Sequence, residues 1–362
     1  MQQQKTKETI YSIQVLRGFA SLLVVLFHAT ENSRMVFNVP FLGDFFHFGA
    51  AGVDIFFVLS GFIIMYTSKK YLGQPEALSG FLKKRFVRIY PIYWVTISAF
   101  LLALFVASEY FPSSYPTDAG NLINTYLLAP GHFMINGVSW SLTNEVFFYI
   151  VFSLAFLVRN RKLLAILGIA YSIFLVVYYL QSGQPANKWL STVLFSMNLE
   201  FVFGVIAANM YMHLSKRLGM VCMITGALAF IGCGLLFNRH IIVINPILDR
   251  VLYFGVPGFL LVIGAVAYEK HGGFKNPLGA LLDLGDASYS LYLLHLPLLV
   301  GCFKIIAKFG ITNPMLLNGG ILVIVILLCI GSIIFYKLVE RPLISRVNKI
   351  LAVKRIPNQP KQ

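Results

Sequence analysis

The 362-residue chain is 58% hydrophobic and only 12% charged, about half the roughly 25% charged fraction of an ordinary soluble domain. A soluble globule has no core large enough for so much apolar surface, so that class is excluded. The formal charge of +15 is no nucleic-acid footprint either, because the Lys and Arg residues fall in short blocks between apolar runs, where they anchor helices at a membrane face.

Apolar stretches near the roughly 20 residues that a ~30 Å hydrocarbon core demands predict ten spanning helices, over 12–31, 46–66, 91–110, 141–158, 163–181, 190–212, 219–237, 251–268, 287–307 and 316–338. The expected fold class is all-α: a polytopic membrane bundle over 1–340 with a basic cytoplasmic tail over 341–362, which serves as an electrostatic anchor on anionic headgroups. The first run carries Arg17 and His28 and lacks a small-residue cleavage pattern, so it reads as a retained helix. The N-terminal segment, the even-numbered loops and the tail hold 21 of the 29 Lys and Arg. By the positive-inside rule both termini are cytoplasmic. The third loop, about 111–140, contains neither residue and is assigned to the outside. Cys222, Cys233, Cys302 and Cys329 lie inside apolar runs without metal-ligand or redox spacing and read as packing residues.

An ionisable side chain inside a membrane costs several kcal/mol unless paired or hydrated. That singles out Arg17, His28, Asp54, Glu145, Glu200 and His295. Arg17 and His28 share the first helix, and their spacing returns them to within roughly 20° of one direction, about 16 Å apart along the axis. With the N-terminus inside, Arg17 lies near the cytoplasmic boundary and His28 in the outer half. Asp54, in GVDIFFVLSGF, sits about two turns below the outer end of the second helix. It is either a cavity residue or paired with Arg17 or another buried group for assembly; Gly52 and Gly61 permit close helix approach.

FLKKRFVRIYPIYW packs Lys83, Lys84, Arg85 and Arg88 together. Such a cluster is commonly a membrane-face anchor, yet Arg85 and Arg88 project to one side and suit phosphate oxygens. Glu145, in SWSLTNEVFFY, enters the membrane from outside and is expected at the depth of His28, where a carboxylate orients an imidazole. It also suits a helix N-terminus. Ser141 shares its face. Ser288, Tyr292 and His295 form a polar stripe on the ninth helix, from a hydrated cavity or from interhelical hydrogen bonding. Glu200 has no assigned role.

Together these pieces resemble the acyltransferase family 3 membrane proteins, O-acyltransferases of bacterial surface polysaccharides. The matching segments run nearly end to end: IQVLRGFASLLVVLFHA, GVDIFFVLSGF, RFVRIYPIYW, VSWSLTNEVFFY, LGDASYSLYLLHLPL and YKLVERPL. The resemblance implies a multi-pass protein of the bacterial inner membrane. Its activity would be moving acetyl, or another acyl group, from acyl-CoA to a hydroxyl of a lipopolysaccharide O-antigen or exopolysaccharide sugar, without a metal. It implies His28 as catalytic base, or as a transient acyl carrier, with Arg17 as its companion. Arg85 and Arg88, with Lys84, become donor-binding residues, and Glu145 the carboxylate of a tryptophan–serine–leucine motif. Many members end that motif with an acidic pair; here Asn144 precedes Glu145, which must serve alone. Asp54, Ser141, Ser288, Tyr292 and His295 are assigned to the substrate cavity. Pro112, Pro116, Asp118, Pro130 and His132 of the third loop are expected to bear on acceptor choice. A glycan or acyl-intermediate transporter or flippase is the alternative from another class; against it, no duplicated halves are visible.

Overall fold

The computed structural model describes residues 10–106, 115–131, 133–183, 185, 187–244, 248–274 and 279–351. Among these the regular structure is all helical, without a strand. In order the helices are α1 (Tyr11–Phe37), α2 (Gly52–Ser68), α3 (Leu78–Val106), α4 (Ala119–Leu127), α5 (Trp140–Ser153), α6 (Arg161–Gln181) and α7 (Lys188–Val193). They continue with α8 (Asn198–Met210), α9 (Lys216–Asn238), α10 (Val256–Lys270), α11 (Gly279–Asp286), α12 (Ser288–Ala307), α13 (Pro314–Phe335) and α14 (Arg341–Ile350). Ten helical stretches among the described residues are long and apolar enough to cross a membrane, and they fall on the ten expected spans.

Three boundaries differ from expectation. The third span starts well before residue 91, because α3 runs unbroken through Pro91. A proline removes one backbone hydrogen bond, but packed membrane helices tolerate it. The basic cluster is therefore helical, with Arg85 only 6% exposed. The sixth span is two helices, broken at residues 194–197. There Asn198 Nδ2 donates to the carbonyls of Thr192 and Val193, at 3.1 and 3.2 Å, which the end of α7 leaves open. The last span does not stop at 338: it passes through a π-helical turn, Tyr336–Glu340, into α14.

Helix α1 begins against the end of α10, where both carboxylate oxygens of Glu269 accept from the first free N–H groups, those of Tyr11 and Ser12, at 2.7 Å each. This is the near end of the bundle, and His28 lies towards the far end. Glycines set the tightest crossings. A Cβ on Gly61 would lie 2.0 Å from Phe201 O, and one on Gly204 the same distance from Val58 O, so α2 and α8 touch backbone to backbone. Gly52 packs likewise on Ala20 O of α1. The four cysteines are free and partly buried. Asp118 caps α4, accepting from Asn121 N at 2.9 Å. Pro112 and His132 lie outside the described residues, as do the last eleven of the tail.

Candidate active site

At the near end α1, α2, α3, α5 and α12 enclose a cavity of about 160 Å³. At roughly 10–15 Å³ per water it has room for roughly 11–16 molecules, so charges in its wall are hydrated rather than held bare against hydrocarbon. Arg17, Arg85, Arg88 and Glu145 line it. Arg88 Nη1 donates to Glu340 Oε1 at 3.3 Å and the guanidinium lies over the Tyr289 ring. Glu340, fully buried, also accepts from Ser290 Oγ at 2.5 Å. Arg85 sits 5.5 Å from the Phe81 and Tyr149 ring centroids and donates through Nη2 to Thr67 Oγ1 at 3.4 Å, while its buried Nε has no hydrogen-bond partner. Arg17 donates to Gln14 at 3.3 Å. Three guanidinium groups thus line the cavity with one carboxylate, Glu145, while Glu340 and Asp286 stand behind the wall, and among the described residues neither Arg17 nor Arg85 makes a salt bridge. The excess of guanidinium groups in the wall itself suits an anionic ligand with several oxygens.

Glu145 is not at the depth of His28. It accepts from Ser60 Oγ at 3.0 Å and from Tyr149 OH, in the cavity wall. Ser60 lies about 12 Å down α2 from Gly52, which is level with Ala20. The sequence-based depth assumed that the fourth span starts at the membrane surface, whereas the chain before α5 dips into the bundle. Pro297 in α12 has no N–H to offer the Leu293 carbonyl. Buried Asn136 supplies one instead, Nδ2 to O at 3.0 Å. Val138 O accepts from Tyr292 OH at 2.9 Å, and Tyr292 OH lies 2.7 Å from Ser141 Oγ. Helix α5 therefore begins already inside, and its carboxylate lands at the level of the arginines.

The neighbour of His28 is His295. Its Nε2 lies 3.2 Å from His28 Nδ1, with ring centroids 5.0 Å apart. Each ring also places Nδ1 on the carbonyl one turn back: His28 on Val24 O at 2.9 Å, His295 on Leu291 O at 3.0 Å. His295 is fully buried and His28 partly exposed. Tyr292, whose ring centroid is 5.9 Å from that of His295, lines the cavity and links the two regions.

Of the other residues assigned to the cavity, Ser141, Ser288 and Tyr292 line it, but Asp54, His295 and Lys84 do not. Lys84, half-buried on α3 one residue before Arg85, stays outside the cavity wall. Asp54 is ion-paired instead. Arg250 closes on it with Nε 3.1 Å from both carboxylate oxygens and Nη2 2.8 Å from Oδ2, while Nη2 also donates to Ala50 O. Glu200, fully buried, lies close to this pair and packs on Gly255, where a Cβ would meet Oε1 at 2.8 Å. Sequence reasoning missed Arg250 and Glu340. Each stands at the edge of an apolar run, where a charge looks interfacial, and a π-helical turn beside each (Val251–Gly255, Tyr336–Glu340) carries it inward.

A histidine pair behind an arginine-walled cavity, in a bundle of ten apolar helices, has the parts of a membrane group-transfer enzyme. The model of the family described as acyltransferase domain matches residues 10–337, and the chain belongs to this family, acyltransferase family 3; it is a multi-pass membrane acyltransferase. It is similar to the exopolysaccharide production protein ExoZ of Rhizobium meliloti, 28% identical over 337 residues that cover 89% of this chain and 95% of ExoZ. It is similar also to the acyltransferase MdmB of Streptomyces mycarofaciens, 27% identical over 329 residues, covering 78% of this chain and 77% of MdmB. The peptidoglycan O-acetyltransferase OatA of Listeria monocytogenes is 25% identical over 331 residues, 81% of this chain but 50% of OatA, so the chain spans about half the length of that relative. No solved structure matches the chain.

Proposed function

We propose that the protein moves an acyl group, acetyl in the simplest case, from cytoplasmic acyl-CoA to a hydroxyl of an exopolysaccharide or lipopolysaccharide O-antigen sugar. Similarity to ExoZ over nearly its whole length supports a polysaccharide acceptor, and the name of OatA supports O-acetyl transfer. The charge distribution supports a bacterial inner-membrane orientation with both termini, and hence the arginine cavity, on the cytoplasmic side.

One observation carries the reading. The cavity at the near end holds Arg17, Arg85 and Arg88, while His28 stands about 16 Å further along α1, with Tyr292 between. The three arginines would grip the donor phosphates, and the thin pantetheine arm would rise past Tyr292 to bring the thioester to His28. His28 would take the proton of the sugar hydroxyl as the oxygen attacks the thioester carbonyl carbon. Collapse of the tetrahedral intermediate breaks the carbon–sulfur bond, and the departing CoA thiolate takes the proton back from His28. Glu145 belongs in this scheme with the donor-side charges, held by Ser60 and Tyr149.

The test uses membrane vesicles carrying the full chain, labelled acetyl-CoA, and surface polysaccharide extracted from cells lacking the protein. Transfer of label is expected, and its loss in His28→Ala at unchanged abundance and insertion. Near-normal transfer by that variant defeats the assignment of the base.

A further inference from the structure

We propose that His295 is a positioning residue: it fixes the tautomer of His28 and shares the charge that His28 gains. This rests on the reading of His28 as the base. A carbonyl oxygen can only accept, so the ring nitrogen facing it must carry the hydrogen. His28 Nδ1 faces Val24 O at 2.9 Å and His295 Nδ1 faces Leu291 O at 3.0 Å. Both rings are therefore protonated on Nδ1 when neutral. That leaves His295 Nε2 as a bare lone pair, 3.2 Å from the His28 Nδ1–H. The hydrogen on His28 is shared between two acceptors, and the basic lone pair of His28 is left at Nε2, where no protein group among the described residues engages it.

The consequence for catalysis follows from charge. When Nε2 takes a proton the ring becomes cationic, and its Nδ1–H becomes a stronger donor. Val24 O is already committed to the helix, and burial withholds water from this side of the ring. The neutral imidazole of His295, fully buried, is the group placed to respond. The other titratable groups near the pair lie on its own two helices. Glu31 is one turn further along α1, bonded to His47 at 2.9 Å, and Tyr292 is one turn back on α12. None of them contacts His28 Nδ1. His295 thus does for His28 what a carboxylate does in other base–orienter pairs, without placing a fixed negative charge in the membrane.

Three variants of the full chain separate this role from a packing role, assayed in vesicles with labelled acetyl-CoA and the extracted polysaccharide. His295→Phe keeps bulk and removes both polar atoms. His295→Asn keeps a polar atom at the place of Nδ1 only. His295→Gln reaches the place of Nε2 with an amide oxygen that accepts from His28. The Phe and Asn variants are expected to lose about ten- to a hundredfold in kcat, the worth of one hydrogen bond to a charged group, with the KM for acetyl-CoA unchanged. The Gln variant is expected to recover most of the loss at equal abundance. A Phe variant within twofold of the native protein overturns the proposal, and so does a Gln variant no better than Asn. If His28→Ala itself retains transfer, the base assignment has failed instead; an inactive His28→Ala beside a fully active His295→Phe overturns the positioning role alone.

Discussion

Arg88 and Glu340 meet across the near end of the bundle, Nη1 to Oε1 at 3.3 Å, although 252 residues separate them in the chain. Glu340 is fully buried and Arg88 is 22% exposed to the hydrated cavity, so the carboxylate depends on the arginine more than the reverse. Breaking one side of a buried pair costs about 3–5 kcal/mol, and the hydration of Arg88 argues for the lower part of that range. Arg88→Ala is therefore expected to destabilise more than Glu340→Gln, which keeps an acceptor for Ser290. The double variant should lose less than the sum, because the strands of the damage are shared. Thermal unfolding in detergent checks this; strict additivity would show that the two groups do not act as a pair.

Arg85 is gripped differently. It has no ion pair among the described residues, it lies between the rings of Phe81 and Tyr149, and its buried Nε is unpartnered. A planar guanidinium fits that slot and offers a fork to an oxyanion; an ammonium does neither. Arg85→Lys is expected to raise the apparent KM for acetyl-CoA about tenfold or more, the value of one charge-assisted hydrogen bond, with kcat little changed, as loss of uniform binding requires. Initial rates in vesicles over a range of acetyl-CoA concentrations measure it. An unchanged KM, in this variant and in Arg85→Ala, removes Arg85 from the donor site.

The ten spans were legible because 20-residue apolar runs leave few alternatives, and the pairing of Arg85 with Arg88 on one face followed from helical spacing. The His28–His295 contact was not legible. It joins two helices remote in sequence, and only packing says which polar stripes meet. Glu145 was misplaced for a more instructive reason. Depth was counted from the membrane surface, and nothing local announces that Pro297 frees a carbonyl which Asn136 then claims, pulling the start of α5 inward. Asp54 was legible as a buried charge, but its partner Arg250 stood outside the apolar run and looked like a loop residue.

That partnership gives a prediction opposite to a cavity role for Asp54. The carboxylate is fully buried and takes three contacts from Arg250. Asp54→Ala leaves the guanidinium facing Glu200 alone, and a loss of about 3 kcal/mol or more is expected, seen as a smaller folded fraction after detergent extraction. Because Asp54 lies off the cavity, transfer per folded molecule should stay within about twofold of the native rate. A larger fall in that normalised rate would return Asp54 to the substrate path.

Asp286, at the end of α11 and outside the spans, should make stability depend on pH in an unusual direction. Burial pushes its carboxyl up from the ordinary value, and Asp283 adds to the rise, although Arg17, Arg88 and Arg341 pull it back. With the folded pKa above the unfolded one, the folded state binds the proton more tightly. The contribution of this group is then fully present below the ordinary carboxylate range near 4, and it is lost as pH rises through the folded pKa. Asp286→Asn imitates the protonated form at every pH. Its melting temperature in detergent is therefore expected to match the native protein near pH 4 and to exceed it at neutral pH. A variant less stable than the native protein at neutral pH would mean that the attraction to Arg17 outweighs the burial of Asp286.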